Sequence, residues 1–182
     1  DFTEHKEKIE NSLKDGKTLL YISYDGKLLG TITLADEVRS NSKKAITKLR
    51  KLGVKNIIML TGDTKQKAKM IADELGINEV RAELLPQDKA RIVKELMNEG
   101  KKVAFIGDGI NDAPALISAH VGISMSRGAD IAKATADISL LKDDIMAVVE
   151  AKEYANKTMN LINNNFNATV GINSCILAGA TF

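Results

Sequence analysis

Along most of this chain, short apolar runs alternate with amphipathic runs of roughly ten to fifteen residues, and few folds accept that rhythm. Ala45, Ile46, Leu49 and Leu52 recur at helical spacing until Gly53 closes the run. VKNIIML then predicts a strand, with Thr61–Gly62–Asp63 directly after it. A second helix carries Ala68, Ile71, Ala72 and Leu75 on one face and closes at Gly76. NEVRAEL predicts a short strand leading to Pro86, a residue suited to the first turn of the next helix (Ala90, Val93, Leu96, Met97) before Gly100. KKVAFI is the following strand. It runs into GDGIND, Gly107–Asp112, and a short helix. HVGISM and ADISLL predict two more strands around RGADIAKA, and a long helical pattern begins near Asp143. Strands alternating with helices in this way predict βαβ units and an α/β fold with a parallel sheet.

Two segments stand outside the alternation. The first fifteen residues, with Ile9 and Leu13 apolar, predict a short surface helix ending at Gly16. TLLYISY and KLLGTITLA flank Asp25–Gly26, a hairpin turn dipeptide. At the other end, Ala168–Phe182 is almost free of charge. It reads either as a buried terminal helix or as part of a membrane-spanning one, which needs about 20 such residues.

The 182 residues suffice for one good core and a small appendage. Lysines and arginines number 26 against 24 acidic residues, so no electrostatic case for nucleic acid exists. Cys175 is the single cysteine, which excludes an internal disulfide and a cysteine-built zinc site. His5 and His120 are too far apart in sequence to form a metal cluster and read as surface or packing residues. An asparagine cluster lies between Asn156 and Asn173.

Open α/β sheets place their sites at the carboxyl ends of the strands, where both TGD and GDGIND fall. GDGIND fails as a calcium loop because Ile110 stands at the third position. It fails as a dinucleotide fingerprint because Asp112 stands where the third glycine belongs, and it lacks the Gly-Lys-Ser/Thr of a P-loop. A tight loop with acidic oxygens remains, suited to Mg²⁺, which takes one or two carboxylates plus water and phosphate oxygens. Thr61 adds a hydroxyl, Gly62 an approachable amide and Asp63 a carboxylate. Lys89 adds a cation near a helix start, where backbone amides also favour anions. Together these suit phosphoryl handling. Singly, TGD also serves as a turn with Asp63 or Thr64 as N-cap, and Lys89 as a solvated helix lysine.

TGD, then P-x-x-K, then GDGxNDAPAL resembles the P-type ATPases of the haloacid-dehalogenase-like superfamily. LADEVRSNSKKAITKLRKLG and VGISMSRGADIAKATADISLL are similar to that family's hinge with its first phosphorylation-domain helix and to its segment after GDGxND. The passage from ADISLL through KTMNLINNNFN to an apolar stretch resembles the heavy-metal and transition-metal branch. The resemblance implies a Rossmann-like parallel sheet of the haloacid-dehalogenase type, with a remnant of a nucleotide-binding domain before it and a partial transmembrane helix after it. Residues 1–34 would end the nucleotide-binding domain, 35–39 form the hinge with Asp36 and Arg39, and 40–155 form the phosphorylation domain. Residues 156–182 would lead into the membrane. Asp108, with Asp112, would bind Mg²⁺; Asn111 and Asp112 would shape the loop and touch the phosphoryl group or its water. Lys89, Thr61 and Gly62 would contact phosphoryl oxygens, and Asp63 would hold nucleotide or metal-linked water.

The implied parent is an integral-membrane, ATP-driven metal-cation pump. Its partners would be ATP, the transported cation, membrane lipid and the remainder of the pump, with residues 1–155 on the cytoplasmic side. The other readings are a soluble phosphatase of the superfamily and a non-catalytic Mg²⁺/phosphate-binding module. For the transported ion Asn173 is the candidate ligand, and it equally suits a bond to a neighbouring helix. The pair Ile172–Asn173 departs from the Tyr-Asn of copper pumps and the lysine of zinc or cadmium pumps. Cys175 is a soft candidate ligand or a packing residue. His120 stands where many relatives carry aspartate.

The D-K-T-G-T sequence whose first aspartate is the family's nucleophile does not occur in this chain. This polypeptide alone is therefore expected to hydrolyse ATP no faster than a buffer control. A hydroxylamine-sensitive acyl phosphate on it, trapped in acid, would contradict that expectation.

Overall fold

The structure, a computed structural model, describes residues 18–34, 38–107, 110–125 and 130–180. In chain order its strands are β1 (Thr18–Tyr24), β2 (Lys27–Leu34), β3 (Ile58–Leu60), β4 (Glu79–Arg81), β5 (Ala104–Gly107), β6 (Val121–Ser124) and β7 (Ile138–Ser139). Its helices are α1 (Ser42–Lys51), α2 (Lys65–Leu75), α3 (Pro86–Asn98), α4 (Ala113–Ser118), α5 (Asp130–Thr135) and α6 (Met146–Ala180), with a 3-10 turn at Ile110–Asp112. They fall into two compact units, Asp1–Ser40 with Ile58–Glu83, and Asn41–Ile57 with Leu84–Phe182.

In the first unit β1 and β2 pair antiparallel. Asp25 (φ 47°) and Gly26 (φ 74°) are both left-handed, the backbone a two-residue hairpin turn requires. The ladder slips between Ile22 and Ser23, where Ile22 faces Gly30 and Ser23 faces Leu28, leaving Leu29 as a bulge. β3 and β4 pair in parallel, Ile58 opposite Glu79, with α2 as the crossover. The Thr64 hydroxyl accepts the Lys67 N–H at 3.4 Å and opens α2. Left-handed Gly76 (φ 71°) closes it, and the Ile77 N–H returns to the Ala72 carbonyl at 2.8 Å.

In the second unit β5, β6 and β7 form a parallel sheet in that order. An apolar cluster joins Ala45 and Leu49 of α1, Ile123 of β6, Leu140, and Ala147–Val149 of α6. α3 packs on α4, and α4 packs on β5 and β6. Val93 of α3 and Leu116 of α4 are fully buried.

The parallel α/β architecture agrees with the sequence rhythm, but the strands are shorter than their apolar runs. Of VKNIIML only Ile58–Leu60 joins a ladder, because β4 offers three residues to pair with. Among the described residues the parallel strands make two separate ladders rather than one continuous sheet. The helix expected in the first fifteen residues, His5, and hinge residue Asp36 lie outside the described residues. Arg39 is exposed. α6 has 35 residues, about 52 Å of helix. Among the described residues no helix is long and apolar enough to cross a membrane. Asn163, Asn164, Asn165 and Asn167 lower the hydropathy of α6 just where its charges end.

α3 starts with a half-formed capping box. The Leu85 N–H donates to the Asp88 carboxylate at 3.0 Å, and Asp88 also receives Arg91 at 3.2 Å. The Leu85 amide first, then Arg91, hold the Asp88 carboxyl below its ordinary value of 3.8. A depressed folded-state pKa contributes stability that is present above the unfolded value and is lost as pH falls through the folded one. Asp88→Asn is thus expected to lower the melting temperature at neutral pH. The difference from the parent should close as pH drops below the carboxylate range, followed by circular dichroism at a series of pH values.

Candidate phosphoryl-handling site

Each sequence motif sits where a strand ends, and each is held by a different set of contacts. In the first unit Thr61 follows β3, its N–H bonded to the Arg81 carbonyl at 3.0 Å. The Thr61 hydroxyl donates to Asp63 Oδ2 at 2.9 Å while accepting the Asp63 N–H at 3.1 Å. Asp63 Oδ1 faces Lys67 Nζ at 3.4 Å, and the Asp63 carbonyl accepts the Glu83 N–H at 2.9 Å. Gly62, between them, is exposed. Thr61 and Asp63 therefore brace each other, and both Asp63 carboxylate oxygens already have partners. Of the two N-cap candidates, Thr64 caps α2.

In the second unit Lys89, on the first turn of α3, reaches Asp112 at the end of the 3-10 turn: Nζ to Oδ1 is 2.7 Å. Their side chains are 17% and 10% exposed, so this lysine is not the solvated helix residue its sequence context also allowed. At such burial the pair carries a real desolvation cost, and either partner alone would be an uncompensated charge. The cation is thereby fixed beside the end of β5. Asn111 is exposed on the same turn. Asp108, the proposed magnesium ligand, lies outside the described residues, immediately after Gly107 of β5.

Sequence reasoning assigned Gly107 no role. The structure does: a Cβ on Gly107 would come 2.7 Å from Asp112 Cβ and 2.9 Å from Asp112 Oδ2. Gly107 does not have a positive φ, so the close approach and not backbone conformation demands glycine. On the adjacent strand, Gly122 of β6 has the same role, since an added Cβ would lie 2.7 Å from the Leu116 carbonyl oxygen. The segment bearing Asn111 and Asp112 thus rests on bare strand backbone at two points. Asp137 was also missed; its carboxylate accepts the Gly122 N–H at 2.8 Å. So was fully buried Ser124, whose hydroxyl bonds that of Ser139 at 3.2 Å. Only the three-dimensional approach of these groups identifies them.

The remaining candidates are elsewhere. His120 Nδ1 accepts the Val103 N–H at 3.3 Å at the entry to β5, a packing role. Asn173 and Cys175 are exposed on α6. Among the described residues no three His, Cys, Asp or Glu side chains form a group able to hold a metal.

The first unit thus carries a hydroxyl–carboxylate brace after β3 and the second a buried lysine–aspartate pair after β5, in an α/β chain with parallel sheets. Residues 2–120 match the haloacid dehalogenase-like hydrolase family, and the chain belongs to it. More narrowly, it is 43% identical over 169 residues to a zinc-exporting P-type ATPase of Mycobacterium marinum, covering 92% of this chain and 23% of that protein. It is likewise 43% identical over 159 residues to a manganese-exporting P-type ATPase of Mycobacterium leprae, covering 87% and 22%. The crystal structure of a zinc-transporting PIB-type ATPase in the E2.Pi state superposes with a TM-score of 0.76 at 38% identity, over 88% of this chain and 26% of that one. The chain spans less than a quarter of the length of these two curated relatives.

Gly107→Ala is expected to destabilise the protein by about 1–3 kcal/mol through overpacking against Asp112. Placed in an Asp112→Gly background, where the clashing Cβ is gone, the same alanine should cost far less. Urea denaturation of the four proteins measures this, and equal costs in both backgrounds would show that the alanine strikes something else.

Proposed function

We propose that this chain is the phosphate-handling portion of an ATP-driven metal-cation pump, in which an aspartate outside this sequence takes a phosphoryl group from ATP and the resulting aspartyl phosphate is hydrolysed by water, releasing phosphate and restoring the carboxylate. The observation that carries the reading is the buried Lys89–Asp112 pair, 2.7 Å long, beside the strand end that leads into Asp108. The relatives, all named as metal-exporting or metal-transporting ATPases, support it over a soluble phosphatase.

In this reading Lys89 neutralises phosphoryl oxygens as charge develops on them, and Asp112 keeps its ammonium aimed. Asn111, exposed on the same turn, orients the phosphoryl group or its attacking water. Thr61 and Gly62 offer a hydroxyl and an amide to phosphoryl oxygens, while Asp63 fixes the Thr61 hydroxyl and holds nucleotide or metal-linked water. The donor chemistry fits Mg²⁺, which is satisfied by one or two carboxylates with water and phosphate. Because Asp112 Oδ1 already takes Lys89, Asp108 is the principal ligand and Asp112 the lesser one. When bound, magnesium supplies charge neutralisation across the transferring phosphoryl group.

Residues 1–34 would complete a nucleotide-binding domain, 35–39 the hinge with Asp36 and Arg39, 40–155 the phosphorylation domain, and 156–182 the approach to a membrane. Residues 1–155 would face the cytoplasm. Membrane contact through α6 is supported by its exposed Met159, Ile162, Phe166, Val170 and Leu177. Asn173 remains the candidate ligand for the transported cation; the Ile172–Asn173 pair speaks against copper, zinc and cadmium and leaves manganese, cobalt, iron or another ion open.

The test uses the full-length parent, assayed for ATPase activity across a series of divalent metals. Asp108→Asn should abolish Mg²⁺-dependent phosphoenzyme formation. Lys89→Ala should slow it by about 10²–10³-fold, the scale of removing one preorganised donor. Normal phosphorylation in Asp108→Asn would overturn the metal assignment, and lack of activation by any divalent metal would overturn the pump.

A further inference from the structure

The chain has no continuous basic block, yet the fold gathers cations at one place. From Val38 to Gly62 the sequence contains no acidic residue, while lysines and arginines recur through it. α1 packs along α6, and the Asn156 side-chain amide donates to the Leu52 carbonyl at 3.3 Å. That bond sets the end of α1, with exposed Lys51 and, just beyond, exposed Lys55, against the level of residue 156 on α6. Lys157 is exposed on the next position, its ammonium 5.7 Å from the centroid of the Tyr154 ring. Of the two acids on the preceding turns of α6, Glu150 and Glu153, the first pairs with Lys142 at 3.6 Å.

At this level the character of α6 changes. From Thr158 to Ala180 it has no charged residue. Met159, Ile162, Phe166 and Val170 recur at helical spacing and are exposed, as is Leu177 further on. Asn156, Asn160, Asn163 and Asn167 recur at the same spacing on another side. Lysines and one tyrosine just before an uncharged helical stretch with an apolar face are the arrangement that membrane–water boundaries select: cations and amphipathic aromatics outside, apolar groups beyond.

We propose that Lys51, Lys55, Tyr154 and Lys157 form a collar that docks on anionic lipid headgroups. Two elements far apart in sequence thereby hold the phosphate-handling unit at a fixed height above the bilayer. The collar rests on the membrane placement proposed above and adds a lipid preference to it. Charge complementarity selects the occupant, since a zwitterionic surface carries no net negative potential to attract three lysines.

The test reconstitutes the full-length parent, with Cys175→Ser and a fluorophore on Asn56→Cys, into phosphatidylcholine vesicles with or without phosphatidylglycerol. A quencher is attached to the lipid headgroups. Phosphatidylglycerol is expected to raise quenching by about fivefold or more, since each cation near an anionic surface contributes about that factor. In about 1 M salt, where the screening length falls to about 3 Å, the gain should disappear. It should also disappear in the Lys51→Glu, Lys55→Glu, Lys157→Glu variant. Equal quenching in both vesicle types, or a gain that survives the triple reversal, overturns the collar. So does a fluorophore shielded by another helix of the chain and out of reach of the quencher in every vesicle. Metal uptake by the parent with Cys175 and Asn56 intact, in the same two vesicle types, scores the pump separately: uptake without a phosphatidylglycerol effect on quenching sinks the collar alone. A phosphatidylglycerol effect without uptake sinks only the pump.

Discussion

Holding an ammonium and a carboxylate 2.7 Å apart with little solvent around either is the constraint from which the rest of the site follows. Removing both charges from water costs several kcal/mol per ion, so such a pair persists only where geometry is fixed by its surroundings. Here one partner is fixed by a helix start. Lys89 sits on the first turn of α3, whose phase is set by Pro86 and by the Leu85–Asp88 bond. The other partner is fixed by contact with a strand. Asp112 lies so close over Gly107 that not even a methyl group fits between them.

That closeness needs a strand that does not move, and the sheet supplies it. The Gly107 carbonyl accepts the Met125 N–H at 3.1 Å, and the Ser124 carbonyl accepts the Leu140 N–H at 2.9 Å. The carboxyl ends of β5, β6 and β7 are thus laced together. The Ser124–Ser139 hydroxyl pair adds a second tie at the same height. Behind them Asp137 occupies the Gly122 amide where β7 has not yet begun. A backbone donor there would otherwise be buried without a partner, a cost of about 1–3 kcal/mol. The catalytic candidates therefore depend on groups that no phosphoryl chemistry requires.

This division explains what the sequence disclosed. Element type was legible where periodicity and punctuation agree: Gly76 and Thr64 bracket α2, Pro86 opens α3, and Asp25–Gly26 turns the hairpin. Motif order located Thr61–Asp63, Lys89 and Asp112, and the structure joins the last two. Strand length was not legible, because a ladder ends when its partner ends, and the partner is remote in sequence. Gly107 and Gly122 were not legible either. A glycine in a strand advertises freedom of φ, whereas these two are needed for an absence of volume, which only the packed neighbour defines.

Much of the chain's apolar surface has no use within the two units. A two-stranded hairpin is marginal by itself, yet β1–β2 exposes Leu20, Ile22, Tyr24, Leu29 and Ile32. α6 behaves likewise: Val148 and Val149 near its start are buried in the core, whereas Phe166 and Leu177 are exposed. Burying such side chains is worth about 1.5–3 kcal/mol each, so covering this surface would be strongly favourable. The two exposed surfaces differ in kind. The hairpin offers apolar groups on a backbone with open edges, which suits more strands. α6 has satisfied every backbone group internally, which suits a helix partner or lipid. The lysine–aspartate pair is finished within the chain, whereas the apolar faces of the hairpin and of α6 are left open.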